Sequence, residues 1–169
     1  MMTTLVITII ISLVITTLFG HVIHWALHQS WSGKVHQSHM THHLKLYPST
    51  DFVSLKYRSA GKDSTPKFFF VAALPLILAP IILYFCGVVS LIIMITILLV
   101  EGLMGFLHDY LHDAFHIKNH WLSNLPAIKH WFARLITLHY QHHINMQSNF
   151  GIFSFIWDRI LGTFRNAKV

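Results

Sequence analysis

The sequence is short of charge and of thiols. Only 11% of its 169 residues are Asp, Glu, Lys or Arg, and there is a single cysteine, Cys86. One thiol cannot form a disulfide within the chain or supply a thiolate zinc site, which excludes both a disulfide scaffold and a zinc ribbon. Cys86 falls in an apolar run and reads as a packing residue. Acidic residues are scarce as well, six against twelve Lys and Arg, for a formal charge of +6. The basic residues flank apolar stretches, as membrane-anchoring residues do, so a nucleic-acid partner is not expected. Repeats of solenoid type and low-complexity segments are also missing.

Apolar residues fill the space that charge leaves: 54% of the chain is hydrophobic. The length suits one domain, residues 1–169, and the composition is that of a membrane protein. Three apolar runs stand out, at about 4–27, 68–86 and 88–107. Each has about the length a helix needs to cross the hydrocarbon core, where the backbone must satisfy its own hydrogen bonds. The expected fold is therefore all-α, an integral membrane bundle of about three transmembrane helices with further interfacial helices. Pro75 and Pro80 are expected to kink the second span, and Gly87 marks a tight turn into the third. The first span lacks the basic n-region of a signal peptide and reads as a retained anchor.

All twelve Lys and Arg lie within 28–67 or beyond residue 112. With three spans those two regions share one side, which the positive-inside rule makes cytoplasmic, leaving the N-terminus outside. The fifteen histidines fall on the same side, at the cytoplasmic ends of the first and third spans and in the segments that follow them. Residues 46–66 read as a polar loop, and about 118–146 as interfacial helices with Trp121 and Trp131 as belt residues.

Fifteen histidines in so short a chain require a reason, and their spacing supplies it. His24 and His28 stand in HWALH, His39, His42 and His43 in HMTHH, His108 and His112 in HDYLH, and His139, His142 and His143 in HYQHH. On a helix, steps of three and four place side chains on one face a turn apart. Histidines near membrane depth are costly without partners, so clusters at one membrane face point to a shared site. Ten imidazoles exceed what one structural zinc takes and divide into about five for each of two ions. Imidazole suits iron, copper, zinc and nickel. A haem-binding or metal-transporting membrane protein is the alternative from a different class.

Taken together, the four boxes resemble those of the fatty acid hydroxylase and sterol desaturase superfamily. The segment NFGIFSFIWDRILGTF is similar to the family's closing N-[YF]-G…W-D-x-x-x-G-T signature through Asn149, Gly151, Trp157, Asp158, Gly162 and Thr163. The resemblance runs from His24 to Thr163, and the His-Asp start of the third box is also similar to bacterial β-carotene hydroxylases. It implies two Fe ions, replaceable by zinc in purified protein, held by the ten box histidines, with O2 as co-substrate. It also implies a lipid substrate drawn from the bilayer and an external ferredoxin- or cytochrome b5-like electron donor. The implied reaction is hydroxylation of a lipid C–H bond, with fatty acyl chains first, and carotenoid hydroxylation or lipid and sterol desaturation as the alternatives.

Outside the boxes, His116 continues the 108, 112 series by another turn and competes with His112 for a place in the ligand set. His36 extends the second box upstream and reads as solvated or as a support for the ligands. Asp109, Asn149 and Asp158 are candidates to orient metal-bound imidazoles, which usually donate their second N–H to a carboxylate or carbonyl. Glu101 is the one charged residue within a span, two turns before His108, at the edge of a substrate channel or paired elsewhere in the bundle.

Overall fold

A computed structural model describes residues 1–55 and 73–166. Helix α1 spans Met2–Leu27. A short 3₁₀ turn, Ser30–Ser32, leads into α2, Lys34–Thr41, which widens without a break into a π-turn at His42–Leu46. A second 3₁₀ turn covers Ser49–Asp51. Helix α3 is Leu74–Phe85 and α4 is Leu91–Ala114. A 3₁₀ turn at Trp121–Asn124 precedes α5, Lys129–Ile144, and the short α6, Ile156–Ile160. Among the described residues the only β pairing is a single bridge between Ser54 and Ile117.

The fold is an all-α membrane helical bundle. Helices α1 and α4 are long and apolar enough to cross a bilayer. Their hydrocarbon side chains, among them Ile7, Ile10, Leu99, Leu103 and Phe106, point outward and are exposed in the isolated chain, as lipid contact requires. Hydroxyl groups within these helices are neutralised locally. Thr8, Thr16 and Thr96 each donate to the carbonyl four residues back, at 2.7 to 2.9 Å. Of the expected second span, the described part is α3. Its twelve residues rise about 18 Å, and 68–72 lie outside the described residues. Pro75 sits in the first turn of α3, where its missing N–H costs nothing, and Pro80 lies inside a helix that continues to Phe85. Gly87, with φ +72°, makes the turn from α3 to α4 as expected. Cys86, expected to pack, is exposed at that turn.

Helices α1 and α4 run parallel. A Cβ added at Gly20 would lie 3.5 Å from the His108 ring, and one turn further the His24 and His112 rings stand 5.8 Å apart. Both helices thus deliver their C-terminal histidines to the same end. There a compact aromatic and aliphatic core forms from Phe52, Leu111, Phe115, Phe132, Leu135 and Phe155. Helix α5 turns Phe132, Leu135, Leu138, His139, His142 and His143 inward at steps of three and four, while Trp131, Arg134 and Tyr140 face outward. Residues 46–55 do more than loop. Tyr47 and Phe52 are buried against the histidines; 56–66 lie outside the described residues.

Phe132 is fully buried and meets Phe115 at a ring separation of 5.8 Å. Replacing it with Ala is expected to cost about 3–5 kcal/mol. Thermal unfolding in detergent measures this, and an unchanged midpoint would show that this end of the bundle does not depend on its core.

Candidate metal centre

Three groups of histidines bring their ring nitrogens within 4.8 Å of one another: His24, His28, His39, His43 and His142; His42, His112, His116 and His139; and His42, His43 and His143. The first two are separate groups of five and four. His143 stands beside both, its ring centroid 4.0 Å from His43 and 4.9 Å from His116 and His139. All of these side chains are buried. Each HxxHH box divides between the groups. His39 and His43 go to one and His42 to the other, while His142 goes to the first and His139 to the second. The π-turn at His42–Leu46 widens the helix at the point where that division falls.

Backbone carbonyls fix the rings. The Nδ1–H of His24 donates to the Phe150 carbonyl at 2.7 Å, that of His116 to Phe52 at 3.0 Å, that of His142 to Ser148 at 2.6 Å and that of His143 to Tyr47 at 2.8 Å. A carbonyl oxygen can only accept, so in these four rings the proton is on Nδ1 and Nε2 carries a bare lone pair. The Nε2 atoms of His24, His116 and His143 are buried and have no hydrogen-bond partner among the described residues, and both nitrogens of His139 are in the same state. Other ring nitrogens converge: Nε2 of His28 lies 3.1 Å from that of His142 and 2.9 Å from that of His39, which is 3.2 Å from that of His43. Two imidazoles at right angles on an ion about 2.1 Å away would stand about 3.0 Å apart. The donor set and its spacing therefore fit metal ions ligated by imidazole nitrogen. A buried lone pair without a donor is costly, and a cation removes that cost.

The electrostatics agree. Burial first, and repulsion among neighbouring imidazoles second, holds the pKa of His39, His42, His43 and His139 well below the ordinary imidazole value and brings His142 down to about 3. The rings are neutral at physiological pH, the state a metal ligand needs.

His116 and His112 are in the same group, so neither displaces the other. Instead His108 stands outside all three groups. It precedes His112 by one helical turn, a rise of about 6 Å, and its ring centroid lies 6.4 Å from that of His112. His108 lines the neighbouring cavity, with Nδ1 3.5 Å from Asp109 Oδ1. His36 is in none of the groups; its Nδ1–H donates to the Leu27 carbonyl at 3.0 Å and ties α2 to the end of α1. His120 accepts from the Leu122 N–H and meets the Tyr110 hydroxyl, away from the groups.

Asn149 and Asp158 touch no grouped histidine directly; both work through the backbone. Asp158 accepts from the Phe150 N–H at 2.8 Å, the Gly151 N–H at 2.9 Å and the Thr163 hydroxyl at 2.7 Å. Asn149, at φ +55°, donates to the Leu138 and Arg165 carbonyls and accepts from the Arg165 N–H. These bonds clamp residues 148–151, whose Ser148 and Phe150 carbonyls hold His142 and His24. Gly151 is required there, because a Cβ would run into the Ser154 carbonyl and the Asp158 carboxylate. Trp157 donates to Thr17 Oγ1 at 3.1 Å and fastens the clamp to α1. The four carbonyls that orient the grouped histidines, on Tyr47, Phe52, Ser148 and Phe150, have no sequence signal, since every residue carries one.

Beside the histidines lies a cavity of about 310 Å³ between α1, α4, the start of α3 and the 151–154 loop. Leu76, Ile77, Met104, Phe106, Ile152 and Phe153 give it apolar walls, and Gly20, Gly102 and Gly105 leave it room. His108 and Asp109 stand at its histidine end and Glu101 further along α4.

Residues 9–163 match the family model described as fatty acid hydroxylase. No curated protein and no solved structure matches significantly. The match covers most of the chain, which therefore belongs to the fatty acid hydroxylase family, within the superfamily that its histidine boxes and closing signature resemble. Membership makes it an oxidoreductase of the lipid hydroxylase and desaturase type, with buried histidine clusters able to bind metal.

In the unfolded chain histidines take up protons near pH 6.5, and the buried rings do so only far lower, so below about pH 6.5 the unfolded state holds more protons and stability rises with pH. Chelator-stripped protein is therefore expected to be most stable above that pH and to lose about 1.4 kcal/mol per pH unit for each ring as pH falls. Thermal melts across a pH series read this, and a midpoint that does not fall on acidification would contradict it. Asp158→Ala is expected to weaken metal retention by about 10–100-fold, measured by metal content against chelator concentration.

Proposed function

We propose that the chain is an O2-dependent diiron oxidoreductase that hydroxylates a C–H bond of a membrane lipid, with a fatty acyl chain as the substrate. The observation that carries this reading is the pair of buried histidine groups with convergent ring nitrogens, set against an apolar cavity on the membrane side. His24, His28, His39, His43 and His142 would hold one ion, and His42, His112, His116 and His139 the other, with His143 beside both. Iron in these positions supplies the redox chemistry that activates O2 toward an unactivated C–H bond.

The chain's own residues do the positioning. Carbonyls of Tyr47, Phe52, Ser148 and Phe150 keep the rings from rotating, so the ligand geometry survives changes at the open side of the site. The cavity walls admit a hydrocarbon chain from the bilayer and exclude water, which limits side reactions and holds one carbon close to the metals. His108 lines the cavity one helical turn before His112 and would border the reacting carbon. No acid–base pair is required of the protein, and among the described residues no carboxylate joins the grouped histidines.

Electrons would come from a separate ferredoxin- or cytochrome b5-like protein. Lys34, Lys45, Lys118, Lys129 and Arg134 are exposed, and no described acidic residue is, which suits an acidic donor. In this reading the histidine end and the C-terminus face the cytoplasm and the N-terminus lies outside.

Metal analysis of anaerobically purified protein is expected to find two irons per chain. Stoichiometric haem, or no metal, would overturn the reading. Lipid mass spectrometry of an expressing host should show an O2-dependent product heavier by one oxygen atom; a product lighter by two hydrogens would make the enzyme a desaturase. His116→Ala should lower iron content as much as His112→Ala, while His108→Ala should retain more iron than either.

A further inference from the structure

The cavity carries a carboxyl that stands apart from the grouped histidines. Glu101 lies on α4, inside an otherwise apolar stretch, and lines the cavity. Its Oε2 is buried and has no hydrogen-bond partner among the described residues. The two threonine hydroxyls of the cavity do not supply one. Thr16 Oγ1 donates to the Ser12 carbonyl at 2.7 Å, and Thr17 Oγ1 to the Leu13 carbonyl at 2.8 Å. Asp109, the other carboxylate of the cavity, is engaged beside His108 at the far end. A carboxyl at membrane depth without a partner is expensive, and residues of this kind face a cavity and mark what passes through it.

The face of α4 that carries Glu101 leads to the metals. Steps of three and four run from Glu101 through Gly105 to His108 and His112. Gly105 has open space where a Cβ would be, and Gly20 of α1 brings the backbone close to the His108 ring. The path is therefore bare between the carboxyl and the histidines. Along the helix axis His108 is about 10 Å and His112 about 16 Å beyond Glu101.

We propose that Glu101 accepts a hydrogen bond from a hydroxyl or amide N–H carried by the lipid substrate, and that this contact selects the carbon to be oxidised by its distance from that polar group. The substrate class is then a lipid with a donor group and a hydrocarbon segment long enough to cover the stretch from Glu101 to His112. A plain hydrocarbon fills the same cavity and leaves the carboxyl unsatisfied, which disfavours it. The proposal rests on the reading of this cavity as the lipid site.

The test compares binding without turnover. Full-length, metal-loaded protein in lipid nanodiscs is photo-crosslinked with 1-dodecanol bearing a mid-chain diazirine and with the methyl ether of the same compound, and labelling of α1 and α4 peptides is quantified. In the wild type the alcohol is expected to label about tenfold more than the ether, the value of one good hydrogen bond at low dielectric. Glu101→Leu should bring the ratio to about one, and Glu101→Gln, which keeps an acceptor oxygen, should preserve most of it. Equal labelling by the two probes in the wild type, or an undiminished preference in Glu101→Leu, overturns the proposal. Should Glu101→Leu fail to accumulate, Glu101→Met replaces it. The oxidative reading fails separately, when protein that retains the alcohol preference yields no O2-dependent lipid product.

Discussion

A backbone carbonyl can accept a hydrogen bond but never donate one, and that one-way chemistry organises the histidine end of this protein. It places the proton of His24, His116, His142 and His143 on Nδ1 and leaves Nε2 bare. Rings so held cannot satisfy one another by changing tautomer. The Nε2 lone pairs of His24, His116 and His143 are buried with no donor among the described residues, a standing cost that a metal ion relieves. The rest of the architecture serves that arrangement: two parallel helices bring histidines to one depth, a π-turn splits a box between two groups, and an aromatic core fills the space beneath.

The closing signature gains a physical meaning in this light. Asp158, Asn149, Gly151 and Thr163 form a clamp that holds the backbone of residues 148–151. The clamp's carbonyls orient His24 and His142, members of one histidine group contributed by two different helices. Asp158 is buried and yet stays ionised: burial opposes its charge, and the His21 contact with the hydrogen bonds from Thr163 and the Phe150 N–H overcome it. A carboxylate that meets no grouped histidine thus governs the geometry of two of them.

Much of the site was legible in the sequence. The spacing of HWALH, HMTHH and HYQHH identified eight residues that the fold brings together, because steps of three and four keep side chains on one helical face. The third box was less legible. His108, His112 and His116 repeat at equal steps, so periodicity alone could not say which of them reach the groups. The answer depends on where α4 ends relative to its neighbours. The helix stops at Ala114, and His116 is drawn inward by the Phe52 carbonyl, while His108 is left one turn short, beside the cavity.

The sequence by itself determined the membrane class, the end of the chain's spans at which the histidines collect, and the family, because hydrophobic run length and local spacing are properties of consecutive residues. Tertiary structure alone decided which imidazoles share a group and which carbonyls hold them, and that Glu101 borders a cavity. Those are relations between segments as much as 126 residues apart, as His24 and Phe150 are, and a carbonyl oxygen has no letter in a sequence.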